Sequence, residues 1–138
     1  MGAAGLILLD TQALVWYVAG DDRLGPTARE LIQDGLSDAG VLVSAISFCE
    51  LAWLSRTGRL LLPVSPLAWR ASVLAEGVRE VPVDGEVAIA AAELPDFHKD
   101  PADRLIVASA RDEGARLLTA DRQILGWAGM LARVDARQ

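Results

Sequence analysis

Three stretches of this chain are wholly apolar yet too short to be helices: Gly5-Leu6-Ile7-Leu8-Leu9, Val41-Leu42-Val43 and, between an arginine and a threonine, Leu117-Leu118. Runs of this kind read as strands buried on both faces, and such strands occur almost only in parallel sheets covered by helices. The intervals agree. Thr11 to Ala19 reads as helix, Pro26 opens another to about Leu36, and Ser47 through Arg56 forms a third that Gly58 ends. Pro63 and Pro66 introduce a helix through Ala75, Val78 to Val83 is strand-like, and Asp84 caps a helix to Leu94. After a loop at Pro95 to Lys99, Asp100 and Pro101 occupy the N-cap and N1 positions of a helix that stops near Gly114. Arg116 to Thr119 is then a fourth strand and Met130 to Val134 a short fifth. This alternation predicts an α/β fold, a three-layer α/β/α sandwich around a central parallel sheet of four to five strands.

With 138 residues, 52% of them apolar, the chain can bury a core without staples, and residues 1–138 read as one domain. Cys49 is the sole cysteine, so no internal disulfide forms; a reducing, cytoplasmic setting fits, and Cys49 is expected as buried filler. The first apolar stretch lacks a basic leader and is cut short by Asp10, which argues against a signal or membrane span. A net charge of −6 argues against a nucleic-acid partner unless clustered carboxylates are offset by bound cations. Twelve of the thirteen basic residues are arginine, whose planar fork suits phosphate.

On parallel sheets ligands bind at the carboxyl ends of the strands. Asp10 directly follows the first strand there, and Asp121 comes two residues after the fourth. Glu50 falls in the first turns after the second strand, where Ser44 and Ser47 mark the strand-to-helix turn, and Asp103 lies in the first turn of the helix begun by Asp100. Acids gathered at one edge repel each other, so a cluster signals bound cations or shifted pKa values. Oxygen ligands without His or Cys suit Mg²⁺ or Mn²⁺, which points to hydrolysis of phosphodiester bonds. Each acid also has a purely structural reading: Asp10 as a helix N-cap, Glu50 as a surface carboxylate, Asp103 as a helix-dipole partner, Asp121 as a turn residue. For Asp100 the cap role outweighs metal contact. His98 stands alone and reads as loop surface or a phosphate contact, and the four tryptophans as core or interface. Arg104, Arg111 and Arg122 are candidates for substrate contact.

The motifs Leu8-Leu9-Asp10-Thr11, Ser44-Ala45-Ile46-Ser47-Phe48-Cys49-Glu50-Leu51, His98-Lys99-Asp100-Pro101-Ala102-Asp103-Arg104-Leu105-Ile106-Val107-Ala108 and Leu118-Thr119-Ala120-Asp121 resemble, in order and spacing, the four acidic motifs of PIN-domain nucleases. Within that family the chain is similar to the VapC-type toxins of toxin–antitoxin pairs. The resemblance implies that Asp10, Glu50, Asp103 and Asp121 are metal ligands, and Thr11 and Thr119 match the family's hydroxyl positions near the site; Ser47, Asp100 and Arg104 are further candidates for supporting roles. It further implies Mg²⁺- or Mn²⁺-dependent endoribonuclease activity on RNA, a homodimer, and inhibition by a small antitoxin protein. Ala102 departs from the bulky residue many relatives carry before the Asp-Arg pair, which bears on packing. Competing expectations are a nuclease for RNA processing or DNA cleavage, an inert binding module, and a receiver-like signalling domain. The last lacks a lysine after a late strand, since Lys99 precedes Asp103.

Overall fold

The computed structural model of the chain describes residues 5–138; residues 1–4, on which the expectation of no leader also bears, lie outside the described part. The strands are β1 (Ile7–Leu9), β2 (Val41–Ser44), β3 (Arg79–Val81), β4 (Arg116–Thr119) and β5 (Arg133–Asp135). The helices are α1 (Thr11–Ala19), α2 (Pro26–Ser37), α3 (Ala45–Arg56), α4 (Pro66–Ala75), α5 (Gly85–Ala92), α6 (Pro101–Glu113) and α7 (Arg122–Leu125). The strands form one sheet in the order β3-β2-β1-β4-β5, and every pairing is parallel. Central β1 is held on both sides, with Leu9 opposite Val43 of β2 and Leu118 of β4.

The strand order dictates where the helices go. Parallel crossovers are right-handed, so connections that step outward in opposite directions cover opposite faces of the sheet. From β1 through β2 to β3 the chain moves one way, and α1, α2 and α4 cover one face: Ile7, Leu9, Val41, Val43 and Leu118 pack there on Leu14, Trp16, Ile32 and Trp69. The chain then returns past β1 to β4 and β5. Leu8, Leu42 and Leu117 meet Ile106, Val107 and Ala110 of α6 and Ile124 of α7 on the other face, while α5 packs on α6 through Val87, Ala91 and Ala108. Alternate residues of β1 thus enter two different cores, which is why its sequence is apolar throughout.

Three local features differ from the sequence expectation. First, β2 runs into α3 without a loop: Ser44 ends the strand and caps the helix, its Oγ accepting the Ile46 N–H at 3.2 Å, so α3 begins at Ala45 rather than Ser47. Second, Cys49 is exposed, because the buried positions of α3 are Ser47 and Leu51 and Cys49 lies off that face. Third, the single-turn helix α7 was not anticipated; four residues between Asp121 and Gly126 are too few to show a helical period. Trp16, Trp69 and Trp127 are buried as expected, whereas Trp53 is 64% exposed. No helix among the described residues is long and apolar enough to cross a membrane.

Helix α2 lies close to the sheet at Gly35, where an added Cβ would stand 2.9 Å from Val41 Cγ2. Val41 is fully buried and β-branched, so it cannot swing aside. Helix propensity alone would favour Gly35→Ala by about 1 kcal/mol, but overpacking of a filled core costs about 1–3 kcal/mol. Gly35→Ala is therefore expected to lower the urea midpoint of unfolding; a raised midpoint would show that α2 can move away from β2.

Candidate active site

Asp10 is the first residue beyond the central strand and the N-cap of α1. It sits at the point where the sheet order reverses between β1 and β4, the place where parallel α/β sheets open a crevice. Its carboxylate is only 6% exposed. Oδ1 accepts the Ala13 N–H at 2.8 Å, and Oδ2 accepts the Thr119 hydroxyl at 2.5 Å. The same Thr119 Oγ1 accepts the Asp121 N–H at 3.0 Å, so one fully buried threonine at the end of β4 ties the two aspartates together. Asp121 in turn caps α7, its Oδ1 accepting the N–H groups of Gln123 and Ile124 at 2.8 and 3.1 Å. The capping and turn readings of Asp10 and Asp121 hold alongside any chemical role.

Helix α3 contributes Ser47 and Glu50, three residues apart and hence on one face. Thr11, the first residue of α1, stands between them: its hydroxyl donates to Glu50 Oε1 at 2.5 Å, and its oxygen lies 2.8 Å from Ser47 Oγ. Asp103 comes from the first turn of α6, which Asp100 caps by accepting the Asp103 N–H at 3.0 Å. The N-termini of α1, α6 and α7, with their partial positive charge, therefore converge where the acids gather.

Asp10, Glu50, Asp103 and Asp121 all line one cavity of about 590 Å³, together with Thr11, Gln12 and an apolar wall that includes Val15, Leu54 and Ile106. Arg23, Arg59 and Arg137 also line it. Thus the four expected acids meet, and so does Thr11; Thr119 and Ser47 act from beneath. Asp100 does not line this cavity, in keeping with its cap role. The three arginines nominated from sequence do not line it either. Arg104 spends its guanidinium on the backbone carbonyls of Ala91, Phe97 and His98 at 2.7 to 2.9 Å, Arg111 lies over the Trp127 ring, and Arg122 faces a neighbouring hollow. Arg23, Arg59 and Arg137 had no local motif to mark them, since their loops are brought to the cavity only by folding.

His98 also departs from its expected place on the loop surface. Its Nε2 lies 2.7 Å from Asp103 Oδ2, and the side chain is 18% exposed. The loop is held there by Arg104, whose Nε donates to the His98 carbonyl at 2.8 Å, and by Phe97, whose ring stacks on the imidazole at a centroid distance of 4.3 Å.

Burial pushes the Asp10 carboxyl up to about 6; the hydrogen bonds from Thr119 and Ala13 only partly offset this, and repulsion from Asp103 and Asp121 adds to it. Glu50 and Asp103 are raised for the same reason, desolvation first, relieved in part by Thr11 and His98 respectively. Carboxylates held above their ordinary range by burial and by one another gain most from a cation that replaces the proton. Among the described residues, His98 Nε2 and one oxygen each of Asp103 and Asp121 lie within 4.8 Å of one another, close enough to share an ion. This donor set fits a divalent cation.

The pH dependence follows in sign. A carboxyl raised from 3.8 to about 6 contributes stability that is complete below about pH 4 and is lost as pH rises through about 6. Without divalent cations, the melting temperature is expected to fall between pH 5 and 7.5, and to fall less in Asp10→Asn, which keeps a capping oxygen. Saturating Mg²⁺ or Mn²⁺ should raise it more at pH 7.5 than at pH 5. A cation shift independent of pH would contradict this account of the cluster.

Comparison with known proteins agrees with the geometry. Residues 7–128 match the family model described as PIN domain. Ribonuclease VapC22 of Mycobacterium tuberculosis is 42% identical over 119 residues, which cover 86% of this chain and 88% of that protein. Among solved structures, VapBC2 from Rickettsia felis bound to a promoter DNA fragment superposes with a TM-score of 0.69 at 13% identity, covering 94% of this chain and 99% of that one. A toxin–antitoxin complex from Klebsiella pneumoniae gives a TM-score of 0.63 at 16% identity, with 94% and 97% covered. A five-stranded parallel sheet in this order, four acids at its switch point and a family match from β1 to beyond α7 lead to one assignment: the chain belongs to the PIN domain family, among its VapC-type members.

Proposed function

We propose that this chain is a divalent-cation-dependent endoribonuclease, the toxin of a toxin–antitoxin pair, in which Asp10, Glu50, Asp103 and Asp121 hold Mg²⁺ or Mn²⁺. The observation that carries this reading is the meeting of four acids, from four separate segments, in one cavity also lined by three arginines. The similarity to a protein named as a ribonuclease supports the same substrate class. When bound, a divalent cation supplies Lewis-acid chemistry here, activating the attacking water and neutralising charge on the phosphoryl oxygens.

The chain's own residues hold that chemistry in place. Thr119 and Ala13 fix both oxygens of Asp10, and Thr11 fixes one oxygen of Glu50, so neither carboxylate turns away from the cavity. Ser47 sets Thr11. Asp100 fixes the start of α6 and hence the height of Asp103. Arg104 acts on the loop rather than on substrate, tying residues 91–98 to α6 through their carbonyls. Arg59, and Arg23 and Arg137 with the donors left over from Asp21 and from the Ala120 carbonyl, would hold the phosphates of RNA flanking the scissile bond.

The same acidic cavity in a chain of net charge −6 suits an antitoxin segment carrying Arg or Lys. The structural relative from Klebsiella pneumoniae solved as a toxin–antitoxin complex favours such a partner. We further propose that residues 1–138 act as one nuclease domain in the cytoplasm, as a homodimer. Exposed Trp53, Leu61 and Leu67, at 64%, 91% and 79%, supply the apolar surface for the second copy.

The catalytic reading is tested on two aspartates three residues apart. Purified protein should cleave RNA with Mg²⁺ or Mn²⁺ and stop with EDTA. Asp103→Asn should lower the rate on the order of 10²-fold or more at an unchanged or raised melting temperature. Asp100→Ala should cost about 0.5–2 kcal/mol of stability while much of the cleavage persists. A fully active Asp103→Asn overturns the site assignment, and cleavage indifferent to EDTA overturns the cation requirement.

The toxin role has its own readout. Expression of the chain alone should arrest growth, and co-expression of the neighbouring small gene should restore it. Harmless expression of folded protein in its native host would leave the fold intact and remove the toxin assignment.

A further inference from the structure

Among the described residues, His98 is the one beside the acids whose side chain carries a nitrogen lone pair suited to a metal ion. We infer that His98, which lines the adjoining hollow and reaches Asp103 from that side, is itself a ligand of the bound cation, so that the ion lies at a mixed nitrogen–oxygen site that selects Mn²⁺ over Mg²⁺. The inference rests on the cation-binding reading of the same cavity and goes beyond the four acids.

The geometry carries it. Nε2 of His98 and Oδ2 of Asp103 are 2.7 Å apart, and one oxygen of Asp121 joins them within 4.8 Å. Ligand atoms about 2.0–2.2 Å from one ion stand about 3 Å apart when adjacent and about 4 Å or slightly more when opposite. The His98–Asp103 pair stands near the adjacent separation, and the Asp121 oxygen lies no farther than 4.8 Å from either atom. Without an ion the His98 Nε2–Asp103 Oδ2 contact is a hydrogen bond; a cation takes the place of its proton, and Nδ1, which has no protein partner among the described residues, can carry the ring proton while Nε2 turns its lone pair to the ion.

The approach of His98 to the acids is also built rather than incidental. The His98 and Phe97 carbonyls accept from Arg104 Nε and Nη2 at 2.8 and 2.7 Å. The Phe97 ring stacks on the imidazole and meets Trp127 edge-on at 5.4 Å, and Trp127 Nε1 donates to the Pro95 carbonyl at 2.9 Å. Each end of the loop is thus fixed before any ion arrives, as a ligand's supporting shell requires.

The chemistry gives the preference its direction. Four carboxylates already crowd the cavity, and an imidazole adds a donor without adding negative charge. Mg²⁺ keeps its waters and takes oxygen ligands, whereas imidazole strengthens binding along the first transition row, beginning with Mn²⁺.

The test exploits the fact that His98 is the only histidine in the chain. Electron spin-echo modulation of Mn²⁺ bound to tag-free wild-type protein should show coupling to an imidazole ¹⁴N, and the coupling should vanish in His98→Gln. Titration of the same two proteins should show Mn²⁺ affinity falling about 10-fold or more in the variant, with Mg²⁺ affinity, read by competition, changing less than about 3-fold. Mn²⁺ that binds the wild type without ¹⁴N coupling overturns the ligand role and leaves the acid site standing. Equal losses for the two cations overturn the selectivity. Failure of wild type to bind Mn²⁺ at all overturns the cation reading of the cavity together with this inference.

Discussion

The structure is organised around a carboxylate that a core would ordinarily reject. Asp10 ends the central strand and is 6% exposed, so its charge has lost most of its water. What compensates comes from three directions: the α1 backbone through Ala13, the β4 hydroxyl of Thr119, and the partial positive charge of helix N-termini aimed at the cavity. These offsets are incomplete, and its pKa remains raised to about 6. A group this strained is retained where something other than stability depends on it. Removing Thr119 would free one oxygen of Asp10 and leave the Asp121 N–H without its acceptor, because one hydroxyl serves both residues.

From that point outward, the fold places each remaining acid by a different device. Asp121 arrives because β4 is paired in register with β1, which sets Leu118 opposite Leu9 and brings the two strand ends to the same height. Glu50 arrives because β2 passes directly into α3, so its distance from the sheet edge is counted in helical turns. Asp103 arrives because Asp100 and Pro101 fix where α6 begins. Strand register and a helix start are separate constraints, and a slip in either would move a single carboxylate out of the cluster, whereas the Thr119 hydroxyl bears on two.

The net charge of −6 is reconciled with an anionic substrate by how the arginines are distributed. Arg23, Arg59 and Arg137 line the cavity, Arg23 paired there with Asp21 and Arg137 donating to the Ala120 carbonyl, while Arg104 and Arg111 lie away from it, on carbonyls and on the Trp127 ring. The local field at the mouth is therefore set by a few cations beside the acids, not by the sum over the chain. Arg104 shows the distinction sharply. It adjoins Asp103 in sequence, yet its forked donors match the open carbonyls of the loop after α5, and its charge is used to hold His98 beside the acids.

The sequence by itself determined the layered α/β class, the three interior strands and the four acids, because each rests on signals within a few residues. Doubly buried strands must be apolar throughout, capping residues must precede their helices, and strand-end carboxylates are visible as soon as the strands are. The edge strands β3 and β5 were less sharply bounded, since partial exposure mixes Arg79, Glu80 and Arg133 into them. Only the tertiary structure decided the rest. It turned Cys49 outward through the rotation of α3, and it joined Thr119 to Asp10 across 109 residues. It chose which arginines reach the cavity and brought a solitary histidine against Asp103. Side-chain partnership between distant segments depends on register, helix rotation and loop anchoring, and no residue's neighbours along the chain carry that information.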